Sequence, residues 1–412
     1  LNYDVYATFR GNNVYMFMPC TADVTDITLT LLTKDGSDKD KLENLDLSNG
    51  KTMPVKVKGT EHTLSAMQST LPTLSFMINE EWGTIEAMNF DPAHDVKCFG
   101  DVRLDVLPEL ENEETGWVGF VSKENDEKKK GTMEIKGRGN STWSTEPGVK
   151  RPYQFKVEKK TDILGMGKHK TWIILKNDEQ IVRNKLGLDL AGMIGLEYSG
   201  KSEFVDVFMN GEYLGNYLLC EKVEVGDNRV EISNLDDEFE DNGETTEGLD
   251  MTGGYLMEID NWGGDELQIY HESSNTVLSV KSPEDLAKTV TADNEYGYIH
   301  GYMSKWLDAV HSDGVMEDGR SYLDYINVES FVRYFFHQEF LRNGDCGRGS
   351  TYMYKDKDSI DPLIYAGPVW DNDRIFEGIN NTDGWLLSTI NHAGTSSPTF
   401  YNVLNRREDF AK

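Results

Sequence analysis

The sequence predicts an α+β protein in which a small all-β domain, residues 1–112, precedes a larger domain of mixed strands and helices, residues 113–412. Three observations support this order. The first region carries short β-rich or alternating apolar segments separated by Gly, Asp and Asn clusters. An acidic stretch at residues 108–114 is typical of a linker, and the remainder combines strand-like and helical segments. A chain of 412 residues is also too long for one ordinary core.

The composition excludes several classes of partner. With 72 acidic and 41 basic residues, the chain carries a formal net charge of −31. Nucleic acids and anionic lipid surfaces are bound by cationic faces, so neither is an expected partner. No run of about 18 apolar residues is present, so no membrane span is expected. The excess of acid favours solubility, and it also attracts divalent cations.

The first region is expected to form a small immunoglobulin-like sandwich. It contains no group of residues suited to catalysis, so we expect a spacer or a binding module. Cys20 and Cys98 lie here, and they either pair in a secreted protein or remain buried free thiols. The four cysteines of the chain form no CxxC pair, which argues against a zinc site. The candidate strands are residues 14–18, 27–32, 74–78 and 102–106.

The second region begins with strands and turns and continues with helices. Asn210-Gly211 predicts the turn of a hairpin. Asp178 is suited to cap a helix, and residues 236–250 form an acidic, turn-rich segment expected on the surface. The remaining predicted elements are strands at residues 131–136, 152–157, 172–175, 255–259, 351–354 and 363–365, and helices at residues 298–310 and 328–341.

The last part of the chain has an order of elements that protein kinases use. A helix is followed by a loop with Asp345, then by two strands, then by a loop with Asp371, which lies 26 residues further on. In a kinase the first aspartate orients the acceptor hydroxyl, and the second binds the cation that offsets the phosphate charge. The kinase loop places an asparagine five residues after its first aspartate. Ser350 occupies that position, and a hydroxyl is a weaker metal ligand than an amide oxygen.

Spacing alone leaves other interpretations open. An aspartate after a helix often forms a turn, and a Trp-Asp-Asn-Asp segment can be a solvated turn or a calcium loop. The chain could therefore be a non-catalytic calcium-binding surface or adhesion module. A sugar kinase or another small-molecule kinase is a further alternative.

The order of motifs across residues 130–412 resembles the CotH kinase family. Each motif is weak alone, but all of them in one order are specific, and residues 1–112 lie outside the resemblance. The matching segments are Arg138-Gly139-Asn140-Ser141-Thr142-Trp143, Lys150-Arg151-Pro152-Tyr153-Gln154-Phe155-Lys156, Arg183-Asn184, Asn210-Gly211-Glu212-Tyr213-Leu214-Gly215-Asn216-Tyr217, Glu221, Asn343-Gly344-Asp345, Tyr352-Met353-Tyr354-Lys355-Asp356 and Trp370-Asp371-Asn372-Asp373.

The resemblance implies an atypical protein-kinase fold with ATP as phosphate donor and Mg²⁺ or Mn²⁺, or else Ca²⁺, as cation. The acceptors would be Ser or Thr hydroxyls of a protein. The location would be secreted, on the cell surface or in the spore coat. By position, Asp345 would be the catalytic aspartate and Asp371 the metal ligand, with Asp373 and Ser350 assisting.

The resemblance also implies a nucleotide site in the first half of the second region. Arg138, Asn140 and Ser141 lie in a loop between two strands, where a kinase keeps its phosphate-covering loop; a plain hairpin turn is the alternative.

Four further residues are nucleotide-site candidates. Lys150, Arg151 and Lys156 are candidate phosphate ligands, with a solvated basic side chain as the alternative for each. Glu221 would contact the adenosine, pair with a lysine, or be an ordinary carboxylate at a strand end.

Overall fold

The computed structural model divides the chain into two compact units and contains both strands and helices, as predicted. Unit 1 comprises Leu1–Asn177 and Glu203–Cys220, and unit 2 comprises Asp178–Ser202 and Glu221–Lys412. The structure describes residues 5–32, 39–107, 131–176, 182–260, 267–284, 297–312, 315–376, 384–392 and 395–411.

Unit 1 consists mainly of strands. A short helix, α1 (Ile85–Asn89), is capped by Thr84, whose hydroxyl accepts a hydrogen bond from the N–H of Ala87 at 3.1 Å. The strands are β1 (Ala7–Arg10), β2 (Asn13–Met18), β3 (Ile27–Leu32), β4 (Lys39–Leu45), β5 (Thr52–Val57), β6 (Thr60–Gln68), β7 (Thr73–Ile78), β8 (Lys97–Asp105), β9 (Met133–Gly137), β10 (Tyr153–Asp162), β11 (Lys168–Lys176), β12 (Ser202–Met209) and β13 (Glu212–Glu221).

Strands β1 to β6 form a small β-structure with its own core. A four-stranded sheet in the order β1-β2-β6-β5 packs with the β3-β4 hairpin. Strand β2 alternates, so Val14 and Met16 are buried between more exposed neighbours. The β-rich character of the N-terminal region is therefore confirmed. The immunoglobulin-like topology is not found, because β2 pairs with β6 in parallel, whereas the sheets of that fold are antiparallel.

The remaining strands of unit 1 close into a barrel in the order β10-β11-β13-β12-β7-β8-β9. Strand β7 lies antiparallel to β8 and parallel to β12, with Leu74 beside Val207. Inward-facing side chains fill the interior, where the rings of Phe76 and Phe155 meet edge to face at 5.2 Å. Closure leaves none of these seven strands as an open edge.

The barrel joins residues from both sides of the predicted domain boundary at residues 112 and 113. Strands β7 and β8 lie before that boundary, and β8 pairs with β9, which lies after it. The compact units therefore divide the chain at other positions than the sequence suggests. Backbone pairing between distant segments is the reason, and the acidic stretch at residues 108–114 lies outside the described residues.

The cysteines are buried free thiols. Cys20 donates to the carbonyl of Asp105 and Cys98 to the carbonyl of Thr84, each at 3.3 Å. All four cysteines are free, so the disulfide alternative is not realised. Burial raises the pKa of Cys98 to about 11, which keeps the thiol protonated and unreactive at neutral pH.

Unit 2 is α+β. The predicted helices at residues 298–310 and 328–341 and the predicted strands at 255–259, 351–354 and 363–365 are confirmed, while the proposed helix cap Asp178 lies outside the described residues. The elements are α2 (Arg183–Met193), α3 (Leu235–Asp241), β14 (Tyr255–Ile259), β15 (Gln268–His271), β16 (Thr276–Ser282), α4 (Gly297–His311), α5 (Val328–Phe340), β17 (Thr351–Lys355), β18 (Ile364–Val369), α6 (Phe400–Asn405) and α7 (Glu408–Ala411).

A five-stranded sheet in the order β15-β16-β14-β17-β18 forms the centre of unit 2. Every residue of β14 and β17 is buried, as is typical of strands that are covered on both faces of a sheet. Helix α5 begins after Asn327, whose side chain accepts from the N–H of Ser330 at 2.9 Å. Its buried face contacts α4 and α6 through Phe331, whose ring lies near those of Trp306 and Phe400.

Helices α2 and α5 are joined by a buried histidine. The Nε2 atom of His337 lies 2.7 Å from the carbonyl oxygen of Gly187, and its Nδ1 atom lies 3.2 Å from the side-chain nitrogen of Gln338. His337 is fully buried, and this burial lowers its pKa. The neutral imidazole satisfies both contacts, with Nε2 donating to the carbonyl of Gly187 and Nδ1 accepting from Gln338.

We expect a chain that begins at residue 113 to lose the barrel, because it lacks β7 and β8 and their contributions to the core, such as Leu74, Phe76 and Val102. Trp172, fully buried in the barrel, is the reporter. The emission maximum of Trp172 should move to the longer wavelength of an exposed indole. The cooperative unfolding transition of the barrel should disappear.

A chain that begins at residue 69 is the matched control, since it retains all seven barrel strands. It should keep the buried Trp172 signal. A native signal from both truncated chains would contradict the requirement for β7 and β8.

We expect His337 to make unit 2 less stable in acid. The unfolded residue titrates near its ordinary value of about 6.5, whereas burial lowers the pKa in the folded state. At a pH between the folded-state pKa and the unfolded-state pKa of about 6.5, His337 is protonated in the unfolded chain but neutral in the folded chain. The free energy of unfolding therefore falls as the pH drops from about 7 toward 5.

The measurement is urea denaturation of wild type and His337→Gln between pH 5 and 8. Gln retains a donor for Gly187 and does not titrate, so the stability advantage of wild type should shrink as the pH falls. His300→Gln, at an exposed position of α4, is the control. An advantage that stays constant across the range would show that His337 does not carry this effect.

Candidate active site

The loop that carries Asp345 follows α5 directly. Helix α5 ends at Phe340, and Arg342 takes a positive φ of 53° that turns the chain. The side chain of Asn343 accepts from the N–H of Asp345 at 3.1 Å. The N–H groups of Arg348 and Gly349 donate to the carbonyl of Asp345 at 2.9 and 3.1 Å. Asp345 is thus held by its own backbone, and its side chain remains 30% exposed.

A buried carboxylate anchors the start of this loop. The side chain of Glu339 accepts from the N–H groups of Leu386 and Leu387 at 2.7 and 2.9 Å, and from Arg342 at 2.9 Å. These bonds satisfy a charge that is otherwise costly to bury. Glu339 was not among the residues predicted from the sequence. The sequence contained one indication of its role: Glu339 lies on the predicted helix at residues 328–341, three residues before Arg342.

The second loop follows β18. Asp371 adopts φ 55° and ψ 59°, the left-handed region that non-glycine residues rarely occupy. A short 3₁₀ turn, Asn372–Arg374, comes next. Ser350, itself at φ 47°, donates from Oγ to the Oδ2 atom of Asp371 at 3.3 Å.

The two loops meet through side chains. Nη1 of Arg374 donates to both carboxylate oxygens of Asp345 at 3.0 and 3.2 Å. Together with the contact between Ser350 and Asp371, this brings the sequence-predicted residues of both loops to one place within unit 2. Arg374 was not among the residues predicted from the sequence, because the segment Asp371–Arg374 does not reveal which carboxylate the arginine reaches.

Helix α2 contacts the second loop at consecutive backbone groups. The side chain of Asn184 accepts from the N–H of Asn372 at 2.8 Å. Nη1 of Arg183 donates to the carbonyl of Asp373 at 2.9 Å. The side chain of Asn372 is fully buried and faces Gly187.

The oxygen atoms of this site fit a divalent cation that arrives with a nucleotide. Among the described residues, no group of three or more His, Cys, Asp or Glu side chains is arranged to hold a metal. Mg²⁺, however, is usually held by one or two carboxylates together with substrate phosphates and water. The exposed carboxylate of Asp371 and the hydroxyl of Ser350 form such a partial set of hard oxygen ligands.

The loop with Arg138, Asn140 and Ser141 lies between β9 and β10 in unit 1. The N–H of Arg138 donates to the carbonyl of Pro152 at 3.3 Å, and Gly139 has a positive φ of 95°. Asn140 and Ser141 are exposed. The loop therefore forms a turn between adjacent strands whose polar groups are open to a ligand.

Arg151 has a structural role. It is buried and donates to three loop carbonyls, those of Ser144 at 2.6 Å, Glu146 at 2.7 Å and Val149 at 2.9 Å. Its donors hold residues 144–149 in place, which argues against the predicted contact with phosphate.

Lys150 is better placed for a ligand. Its Nζ atom contacts the carbonyl of Asn216 and lies 4.3 Å from the centre of the Tyr217 ring. It borders a cavity of about 400 Å³ inside unit 1, which is also lined by Phe90 and Tyr153.

Lys156 lies on the outer face of the barrel. Its neighbours Phe155 and Val157 are buried in the interior, whereas Lys156 is exposed and aligned with Glu134 of β9. A phosphate contact at Lys156 is therefore restricted to the outside of the barrel.

Glu221 is buried and forms an ion pair with Arg229. Its Oε1 atom accepts from Arg229 at 2.9 Å and its Oε2 atom from the N–H of Lys201 at 2.8 Å. It is thus not a free carboxylate at a strand end, because both of its oxygens fix neighbouring segments.

No described helix has the length and apolar character needed to cross a membrane.

Comparison with known proteins identifies the family. A search of curated proteins finds no match to the chain. The sequence model described as CotH kinase protein matches residues 135–410, which is more than half of the chain and includes both aspartate loops. The chain therefore belongs to the CotH kinase family.

Proposed function

We propose that this protein transfers the γ-phosphoryl group of ATP to a Ser or Thr hydroxyl of a protein acceptor. The observation that carries the proposal is the meeting of the Asp345 and Asp371 loops through Arg374 and Ser350. Membership of a kinase family supports phosphoryl transfer as the reaction type. The two carboxylates have different partners, which suits two different roles.

Asp345 is the proposed catalytic residue. It accepts the proton of the acceptor hydroxyl as that oxygen bonds to the γ-phosphorus, and the bond to the bridging oxygen of ADP breaks. Arg374 keeps the carboxylate oriented through two hydrogen bonds. Because the pair is partly exposed, it adds at most about 1 kcal/mol to stability, so its main contribution is to orientation.

Asp371 is the proposed metal ligand, assisted by Ser350 and Asp373. The cation, Mg²⁺ or Mn²⁺ with Ca²⁺ as an alternative, would offset the phosphate charge when bound. The carboxylate of Asp371 would hold this cation, and the hydroxyl of Ser350 would bind it or a water on it. Asp373 lies within the 3₁₀ turn that follows Asp371, and its carbonyl is fixed there by Arg183.

The nucleotide contacts in unit 1 belong to the same proposal. The exposed polar groups of Asn140 and Ser141, together with Arg138, form the proposed phosphate loop. Lys150 and Lys156 are the proposed cationic contacts of unit 1. Glu221, in unit 2, orders the end of β13 through its ion pair with Arg229.

The acceptor is proposed to be a secreted, cell-surface or spore-coat protein, since the family is linked to the spore coat. The net charge of −31 argues against a nucleic acid as substrate.

We expect ATP binding to require a divalent cation and Asp371. Calorimetry with ATP should give a measurable affinity with Mg²⁺ or Mn²⁺ and little with EDTA. Asp371→Asn should weaken nucleotide binding and abolish transfer, because the cation and the phosphates bind as one unit.

Asp318→Asn is the matched control, since Asp318 is an exposed aspartate of unit 2 whose partner is Arg320. It should bind and transfer like wild type. Equal ATP affinity with and without EDTA would contradict the metal role. A rise in melting temperature with Ca²⁺ alone, without any nucleotide binding, would favour a calcium-binding module instead.

We expect Asp345→Asn to separate binding from transfer. ATP and metal affinity should remain near the wild-type values, while kcat falls by about 10² to 10⁴, the usual worth of a positioned acid–base group. The measurement combines calorimetry with steady-state transfer to a protein acceptor. If Asp345→Asn loses nucleotide affinity as severely as Asp371→Asn, both carboxylates are metal ligands and the assigned roles are wrong.

A further inference from the structure

The conformation of Asp371 needs support from its surroundings. A non-glycine residue in the left-handed region costs of order 1–3 kcal/mol and persists only where neighbouring contacts impose it. Asp371 lies in that region at φ 55° and ψ 59°. The support therefore has to come from groups that hold the backbone on either side of it.

One such group is Asn184 of α2. The N–H of Asn372 belongs to the peptide bond that follows Asp371, so a hydrogen bond to this N–H restrains the ψ angle of Asp371. Asn184 accepts that bond through Oδ1 at 2.8 Å. The donor and the acceptor are 188 residues apart in the chain, so the restraint is tertiary.

The second group is Gly187, one turn further along α2. A Cβ atom at this position would lie 2.3 Å from Cγ of Asn372 and 2.6 Å from its Cβ, closer than atoms can approach. The carbonyl of Gly187 is bound by the buried His337, which restrains the helix backbone from moving away.

Asn372 gains little from its own burial. Its side chain is fully buried, and neither its amide nitrogen nor its amide oxygen has a hydrogen-bond partner among the described residues. An unsatisfied buried amide costs roughly 1–3 kcal/mol. The side chain of Asn372 thus packs directly on the backbone of Gly187 and holds the loop against α2. Its unpaired amide groups lower the stability of the folded protein.

We propose that Asn184 and Gly187 are positioning residues that hold Asp371 in its left-handed conformation and so direct its carboxylate. This inference rests on the proposed role of Asp371 as metal ligand. Groups that orient a metal ligand without touching the metal are typically worth about 10- to 100-fold in affinity or activity.

The principal test is Gly187→Ala, with Gly192→Ala as its matched control. Both glycines lie in α2, and a Cβ at Gly192 meets nothing within 4 Å. Gly187→Ala should weaken the affinity for ATP with Mn²⁺ by about 10- to 100-fold in calorimetry, while Gly192→Ala binds like wild type. A folded Gly187→Ala protein with wild-type affinity would overturn the proposal.

Two substitutions at Asn184 test the proposal if Gly187→Ala does not fold. Asn184→Ala removes the acceptor for the N–H of Asn372, whereas Asn184→Asp retains it. The alanine variant should lose Mn²⁺–ATP affinity and the aspartate variant should keep it. Equal losses in both variants would contradict the role of this hydrogen bond.

A ligand-free crystal structure separates this inference from the proposed function. In Gly187→Ala or Asn184→Ala, Asp371 should leave the region near φ 55° that it occupies in wild type. If Asp371 keeps that conformation in both variants, the inference fails, whatever the protein binds. If wild type binds no metal–nucleotide complex but Asp371 moves in the variants, the positioning role stands and the proposed function fails.

Discussion

The close contact between α2 and the loop after β18 is the constraint on which the candidate site depends. It exists because Gly187 has no side chain and because the buried amide of Asn372 occupies the space that a side chain would fill. With Asn372 seated, Asp371 is held at a positive φ, and the 3₁₀ turn that follows carries Arg374 to Asp345. The contact of this loop with α2 thus bears on Asp371 and on the turn that carries Arg374, whereas Asp345 is held by hydrogen bonds within its own loop.

The electrostatics of the site follow from how unevenly its charges are buried. Glu339, at the base of the first loop, is buried and fully hydrogen-bonded, so its charge serves the fold. Asp345 is only partly buried, and Asp371 is exposed. Charges that remain near water have a small desolvation cost and stay available to a ligand. The buried Glu339 therefore stabilises the loop, whereas the more exposed Asp345 and Asp371 remain accessible to a ligand.

In unit 1, the barrel shows how far the folded units depart from the linear order of the chain. Strands β7 and β8 belong in sequence to the N-terminal region, but they supply part of the wall and core of the barrel. The parallel pairing of β7 with β12 joins segments more than 120 residues apart. A domain boundary drawn from an acidic stretch cannot anticipate such pairing, because charge along the chain says nothing about which strand edges meet.

The sequence by itself determined many of the local elements and the order of the two aspartate loops. The β-rich composition of residues 14–18 and 255–259 predicted β2 and β14, and the spacing of Asp345 and Asp371 around two strands predicted that they lie in neighbouring loops. These features depend on residues close together in the chain.

Only the tertiary structure decided which residues are partners. It assigned Arg151 to loop carbonyls, Glu221 to Arg229, Arg374 to Asp345 and Asn184 to Asn372. Each basic or amide side chain can bind several groups equally well, so its chemistry does not specify its partner. When segments that are distant in the sequence pack together, only one of these possible partners lies within hydrogen-bonding distance. The tertiary fold therefore determines the partner.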